Sequence, residues 1–117
     1  MAAILKAIDW ENADIRAATK KTLQRISRAQ HNSKIRYIVL FGSEARGEAR
    51  LTSDVDLALI SDEPLTMEER LAFKAVIDSE HFPPYNVINT LYRDLDTEHV
   101  MDVNFHIKRD GLVIYER

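Results

Sequence analysis

The chain has 117 residues, of which 45% are hydrophobic and 30% are charged, and its formal net charge is −3. This length suits one domain with its own core, so we expect residues 1–117 to form a single domain, with residues 1–11 as an N-terminal extension. The chain has no Cys, which excludes disulfides and thiolate zinc sites, and it has neither a signal-peptide pattern nor an apolar run near the ~20 residues that span a bilayer. We therefore expect a cytoplasmic protein that makes no contact with a membrane.

The first predicted element is an amphipathic helix from about Asn12 to Gln30, with apolar residues at helical spacing and Lys or Arg between them. Residues 1–40 carry eight Lys or Arg against three Asp or Glu, whereas residues 41–117 carry eight against sixteen. A charge-rich helix is usually a solvated surface, and the acidic remainder argues against a nucleic-acid partner. The apolar residues before the helix indicate a short packing helix or a partner contact, with packing favoured: Ile4, Leu5, Ile8 and Trp10.

Two strands are predicted around a short helix in the middle of the chain. Ile35–Phe41 is rich in β-branched and aromatic residues, which favours a strand. Ser43 is expected to cap a short helix that starts at Glu44 and ends at Gly47, before a loop. The next strand, Asp54 to Ser61, is apolar on both faces, so we expect it to be central in the sheet.

A second helix is predicted from Thr66 to about Ser79, with Thr66 and Glu69 forming a capping box. Pro83-Pro84 prevents continuation of this helix and leads into a strand from Tyr85 to about Leu91.

A last helix is predicted from Asp96 or Thr97 to about Arg109, with Val100, Val103 and Ile107 facing inward. Gly111 is expected to close it, and an extended segment from Leu112 to Tyr115 follows. The order of elements predicts an α/β (α+β) fold, a small mixed sheet flanked by helices.

Two carboxylates stand at the start of the second strand. Asp54 and Asp56 lie two residues apart, so they share a face of the strand, with Cβ atoms about 7 Å apart. Hard oxygen ligands suit Mg²⁺ or Mn²⁺, and such an ion also binds substrate phosphates. An isolated Asp-x-Asp is more often a pair of solvated side chains, so this pair alone does not establish a site.

The turn after the first strand adds a second feature. Gly42 allows the backbone to come close to a ligand, and Ser43 supplies a hydroxyl at a helix start, where unpaired amides favour an anion. Arg46 lies one helical turn further on, where it can pair with a phosphate or with Asp56, or act as an ordinary surface residue. The combination predicts a phosphate site beside a metal site.

The stretch "GSEARGEARLTSDVDL" resembles the signature of the minimal nucleotidyltransferases, a branch of the polymerase-β-like superfamily. Gly42-Ser43 are followed by ten residues and then by Asp54-Val55-Asp56, and Ala45-Arg46-Gly47 also matches. The closing "DGLVIYE" resembles the family's usual ending, so the similarity covers about Asn12 to Arg117.

The resemblance implies a nucleotidyltransferase fold and transfer of AMP from ATP to a hydroxyl. It implies that Gly42, Ser43 and Arg46 bind the nucleotide and that Asp54 and Asp56 bind Mg²⁺, with Mn²⁺ as an alternative. Members of this family usually pair with a helical HEPN toxin. We therefore expect an antitoxin that adenylylates this partner, in a hetero-oligomer.

One position departs from the family pattern. The family has a third carboxylate in its next long strand, where this chain has Asn86 within "PPYNVINTL". Asn is neutral and cannot act as a base, so the chain can bind a nucleotide while transferring slowly or not at all. If the alignment is shifted, the charge could come instead from one of four nearby acidic residues: Asp78, Glu80, Asp94 or Asp96. The alternative function is a catalytically impaired protein that neutralises its partner by binding.

Overall fold

The computed structural model describes residues 5–77 and 84–117. In this part of the chain, helices and strands alternate around one sheet. The elements are β1 (Lys6–Ala7), α1 (Ala17–Ala29), β2 (Ile35–Phe41), α2 (Gly42–Ala45), β3 (Val55–Ser61), α3 (Met67–Ile77), β4 (Tyr85–Leu91), a 3₁₀ turn (Tyr92–Asp94), α4 (Val103–Asp110) and β5 (Leu112–Glu116).

The sheet is mixed, and its five strands lie in the order β1-β5-β2-β3-β4. Strand β2 runs antiparallel to both β3 and β5, while β3 and β4 are parallel. A parallel pair needs a crossover connection, which here includes α3. The predicted central position of β3 is confirmed, because β2 and β4 flank it. The mixed sheet with helices confirms the predicted fold class.

Each face of the sheet packs against its own helices, because β2 and β3 carry apolar side chains on both faces. On one face, α1 and α3 contribute Leu23, Ile26 and Ile77 to a buried cluster with Leu57 and Leu59. On the other face, α4 contributes Ile107 to a second cluster, which it shares with a different set of strand residues: Val39, Phe41, Ala58, Ile60 and Val113.

The first helix begins later than predicted, at Ala17 rather than Asn12. The carboxylate of Asp9 accepts bonds from the amides of Glu11 and Asn12, which forms a turn in place of the first helical residues. The predicted packing helix before it is also wrong, because Lys6–Ala7 is a short strand paired with β5. The predicted packing is confirmed for Leu5, Ile8 and Trp10, whereas Ile4 lies outside the described residues.

The cap of the short helix also differs from the prediction. Helix α2 begins at Gly42, its N-cap is Phe41, and no side chain caps it, so Ser43 is not the cap. Gly47 does end the helix, with a φ of +72° that favours glycine.

The capping box of α3 is confirmed. The amide of Glu69 donates to Oγ1 of Thr66, and the amide of Thr66 donates to Oε1 of Glu69. The predicted end of this helix at Ser79 falls outside the described residues.

The last helix, α4, starts at Val103, several residues after the predicted start. Asp102 is its N-cap and accepts from the amide of Asn104. The predicted inward positions are wrong for Val100 and Val103, which are 60% and 43% exposed, and right for Ile107, which is fully buried. None of the described helices is long and apolar enough to cross a membrane.

Candidate nucleotide site

The turn from β2 into α2 lies directly against the start of β3. Phe41, the last residue of β2, pairs with Asp56 in the sheet, so Gly42 comes next to the Asp56 side chain. Gly42 has a φ of +76°, and a Cβ at this position would collide with the Asp56 carboxylate. Glycine is therefore required here both by the backbone conformation and by the close approach of the carboxylate.

The two aspartates differ in their environments. Asp54 precedes β3 and is exposed, whereas Asp56 lies within β3 and is partly buried. Burial raises the pKa of Asp56 above its ordinary value of 3.8, and the negative charge of Asp54 raises it further. A hydrogen bond from Asn86 and the positive charge of Arg46 oppose this rise. A cation between the two carboxylates would relieve their repulsion.

Asn86 lies near the start of β4, within the strand that the sequence predicted. It pairs with Asp56 across the parallel strands β3 and β4, and its Nδ2 donates to Oδ1 of Asp56 over 3.3 Å. Asn89, on the opposite face, has a structural role, because its side chain bonds to the main chain of Leu59 and Leu65.

Of the four acidic residues that could have replaced Asn86, the two that the structure describes do not reach Asp56. Asp94 follows the far end of β4, where Leu91 pairs with Ser61. Asp96 forms an ion pair with Lys108, and Asp78 and Glu80 lie outside the described residues.

Arg46 forms no ion pair with Asp56, one of the two partners that the sequence allowed, and instead pairs with other carboxylates as a surface Arg. Its Nε donates to Glu48 over 2.5 Å, and its Nη1 lies 3.3 Å from Oδ2 of Asp110. The pKa of Asp110 is lowered chiefly by its hydrogen bond with Arg109, and Arg46 adds to this effect. The positive charge of Arg46 still lowers the pKa of Asp56.

A buried ion pair, which the sequence did not reveal, supports the loop that precedes Asp54. Glu44 in α2 is 1% exposed, and its Oε1 accepts from Nε of Arg16 over 2.8 Å. The Arg16 guanidinium also donates to the carbonyls of Arg50 at 2.8 Å and Ser53 at 3.0 Å. Arg16 thus joins α2 to the loop that ends at Asp54. No periodic pattern could have identified this pair, because its members are 28 positions apart.

The oxygen atoms at this site fit one hard divalent cation. They belong to the carboxylates of Asp54 and Asp56, whereas Asn86 directs its Nδ2 and not its amide oxygen at Asp56. Within residues 5–77 and 84–117, no group of three or more His, Cys, Asp or Glu could hold a metal. Water and substrate phosphates would therefore have to complete the coordination of an ion here.

Comparison with known proteins gives a family and a fold. Residues 24–117 match the sequence profile of the family described as "Polymerase beta, Nucleotidyltransferase". A sequence comparison with curated proteins gave no significant match.

Two solved structures resemble the fold. One is a toxin–antitoxin with AMP-PNP, at 18% identity and a TM-score of 0.59, where the similarity covers 83% of this chain and 73% of that one. The other is a mutant of the toxin–antitoxin MntA-HpeT, at 14% identity and a TM-score of 0.54, covering 88% and 75%. At these identities the similarity establishes the fold alone.

Proposed function

Because the chain belongs to the polymerase beta nucleotidyltransferase family, we propose that it transfers AMP from ATP to a hydroxyl of a partner protein. The observation that carries this proposal is the contact between Gly42 and the half-buried Asp56. The glycine turn therefore lies directly against one of the two carboxylates that would hold a cation. An ordinary turn would not need to lie against a carboxylate, and a solvated Asp-x-Asp pair would not need to lie against a turn.

Each residue has a distinct part in this reaction. Gly42 and Ser43 bind the triphosphate through the α2 turn, and Arg46 adds a positive charge near the phosphates. Asp54 and Asp56 hold Mg²⁺ or Mn²⁺, which neutralises phosphate charge and orients the reacting oxygens when it is bound. The acceptor oxygen forms a bond to the α-phosphorus as the bond to pyrophosphate breaks.

Asn86 limits the rate of this reaction. Its amide hydrogen-bonds to Asp56 but cannot take the proton of the attacking hydroxyl, as a carboxylate could. Binding of the nucleotide and its ion therefore remains intact, whereas activation of the acceptor is weak.

We assign the acceptor to a HEPN-type toxin that this chain neutralises as an antitoxin in the cytoplasm, within a hetero-oligomer. Two structural neighbours are toxin–antitoxin proteins, and one of them was crystallised with AMP-PNP, an ATP analogue. The toxin–antitoxin neighbours support a protein partner, and the bound AMP-PNP supports an adenine nucleotide.

The test is incubation of the chain with ATP labelled at the α-phosphate, Mg²⁺ and the toxin encoded beside it. We expect slow, metal-dependent labelling of the toxin, faster in Asn86→Asp and absent in Asp56→Ala. If the wild-type chain never labels the toxin while Asn86→Asp does, the wild-type chain is not the proposed enzyme.

The second candidate function is neutralisation by binding alone, and Asn86 favours it. The Asp54→Ala/Asp56→Ala variant distinguishes the two functions in a growth assay with the toxin. Preserved neutralisation by this variant would favour binding. Loss of neutralisation in a folded variant would favour transfer or a requirement for bound nucleotide.

A further inference from the structure

A groove with a volume of about 630 Å³ runs between α3 and β4, on the face of the sheet opposite the Asp56 side chain. The α3 residues that line it are Met67, Arg70, Leu71 and Lys74, whose spacing places them along one stripe of the helix. A different side of α3 packs into the core through Phe73 and Ile77. The stripe that faces the groove is therefore not needed to hold the helix on the sheet.

This stripe combines exposed apolar side chains with positive charge. Met67 is 77% exposed and Leu71 is 59% exposed. Arg70 and Lys74 form no ion pair with any other described residue, and the described lining of the groove includes no Asp or Glu. The groove thus suits a ligand that has both apolar and acidic groups.

The wall opposite α3 is the edge of the sheet, since β4 is the last strand in the part of the chain that the structure describes. The amide of Val55 donates to the carbonyl of Pro84 over 2.8 Å. In a parallel ladder, alternate residues direct their main-chain groups to the same neighbour, so Val87 directs its amide and carbonyl away from β3. An unpaired edge of this kind can accept another extended chain.

We infer that this groove binds an extended acidic segment of a partner protein, which adds to the outer edge of β4. Its main chain pairs with the edge at Val87, its acidic side chains meet Arg70 and Lys74, and its apolar side chains cover Met67 and Leu71. A nucleotide would use the charges but neither the strand edge nor the exposed apolar side chains. A protein segment would use the charges, the strand edge and the exposed apolar side chains together.

Asn86 immediately precedes Val87, so the strand edge beside the groove continues to the candidate site, whose side chains lie on the other face of the sheet. A segment paired with β4 directs alternate side chains to each face of the sheet, so those on the α4 face pass Asp56 and Asn86. Resting on the proposed function, this path lets the segment present its own hydroxyl to the α-phosphate.

The probe is a short fluorescein-labelled peptide in which Glu and Val take turns at every second position, so that both can face α3, with Thr at the positions between them and one Tyr at the centre. Its binding to the chain is followed by fluorescence anisotropy without nucleotide. We expect Arg70→Glu/Lys74→Glu to weaken binding at least about tenfold, a change of roughly 1.4 kcal/mol. The matched control, Lys20→Glu/Lys21→Glu, makes the same charge change on α1 and should leave the affinity unaltered.

Two N-methylated forms of the peptide test the strand pairing. Each form carries methyl groups on one alternate set of amides, so one form loses its donors to β4 and the other retains them. We expect only one form to bind. Because the change is made in the peptide, the fold of the chain is unaffected.

Equal affinity for both methylated forms, or for all charge variants, would overturn the inference. Loss of binding only in the α1 variant would also overturn it, and so would tighter binding of a single-stranded oligothymidylate at the same groove. Because binding is measured without nucleotide, a failed transfer assay leaves this result intact. A failed binding assay likewise leaves the proposed transfer standing.

Discussion

Asn86 donates a hydrogen bond to Asp56 across the parallel strands β3 and β4, with 3.3 Å between Nδ2 and Oδ1. The sheet register pairs these two residues directly, so their proximity follows from the backbone and not from a chosen side-chain orientation. A substitution at position 86 therefore changes the surroundings of Asp56 directly, so variants of this residue test the candidate site.

The Asn86→Asp variant should become dependent on a divalent cation for stability. A third carboxylate would replace a hydrogen-bond donor with a negative charge, and without metal the repulsion should lower the free energy of unfolding by about 1 kcal/mol. Mn²⁺ should reverse this loss. The measurement is thermal unfolding of both forms in EDTA and in Mn²⁺. An equal response of both forms to Mn²⁺ would show that residue 86 is not at the metal site.

The Asp56→Asn variant should be more stable than the wild type when metal is removed. Asp56 is partly buried beside Asp54, and burial is the main cause of its raised pKa, so its ionised form opposes folding at neutral pH. The neutral amide avoids this cost and keeps an oxygen acceptor for Asn86. We expect a higher Tm than wild type in EDTA at neutral pH.

The same variant should also lose stabilisation by Mn²⁺, because it removes one of the two proposed ligands. Asp62→Asn is the matched control, since Asp62 lies at the other end of β3 and pairs with Arg117. A lower Tm for Asp56→Asn than for the wild type in EDTA would contradict the repulsion argument.

Local patterns predicted the parts of the fold that depend on neighbouring residues. The apolar runs of β2 and β3 and the capping box at Thr66 each lie within one element, and all three were placed correctly. The start of α4 was predicted too early because Val100 continues the helical spacing of Ile107, although Val100 lies in an exposed turn. Helical spacing alone does not distinguish a buried residue of a helix from an exposed residue of a turn.

In the candidate site too, the residues that follow a local pattern were predicted, whereas the contacts made by packing were not. Its aspartates and Gly42-Ser43 come from one short stretch, and Asn86 was found from its place in an apolar strand. The ion pair of Arg16 with Glu44 depends on how α1 packs beside α2, so only the three-dimensional structure could reveal it.

The Arg16→Ala variant should be strongly destabilised. It would leave the Glu44 carboxylate, which is 1% exposed, without its cation, and removal of one partner of a buried pair costs roughly 3–5 kcal/mol. The Arg16→Met/Glu44→Met variant should recover part of this loss, because no buried charge remains. Denaturant unfolding of both variants measures the difference. A double variant no more stable than Arg16→Ala would place the loss in the loop bonds of Arg16 instead.

Substitution of the two glycines that flank α2 should separate stability from nucleotide binding. Gly42 and Gly47 both have positive φ angles, of 76° and 72°, so an Ala at either position should cost roughly 1–2 kcal/mol. Only at Gly42 would the added Cβ meet Asp56, whereas at Gly47 it would meet the side chain of Asp14.

Gly42→Ala should therefore weaken binding of ATP with Mn²⁺ at least about tenfold, and Gly47→Ala should leave it close to wild type. Isothermal titration calorimetry below the Tm of both variants makes the comparison. Equal losses in the two variants would mean that the close approach to Asp56 has no specific role.

Glu69 should make stability depend on pH in the acid range. Its hydrogen bond with Lys34, at 2.8 Å, is the largest cause that lowers its pKa from 4.5 to about 2, and bonds from Thr66 and Asn32 add to the effect. Because the folded state holds this proton less tightly than the unfolded state, the stabilisation is complete above pH 4.5 and is lost as the pH falls towards 2.

In Glu69→Gln this contribution is absent, so the Tm difference from wild type should be largest at neutral pH and shrink between pH 4.5 and 2. Other carboxylates titrate in both proteins and cancel in the difference. Glu68→Gln removes an exposed carboxylate from the same helical turn and should leave the profile unchanged. Thermal unfolding across this range measures all three proteins. A Tm difference that stays constant with pH would show that the Lys34 bond does not stabilise the ionised form of Glu69.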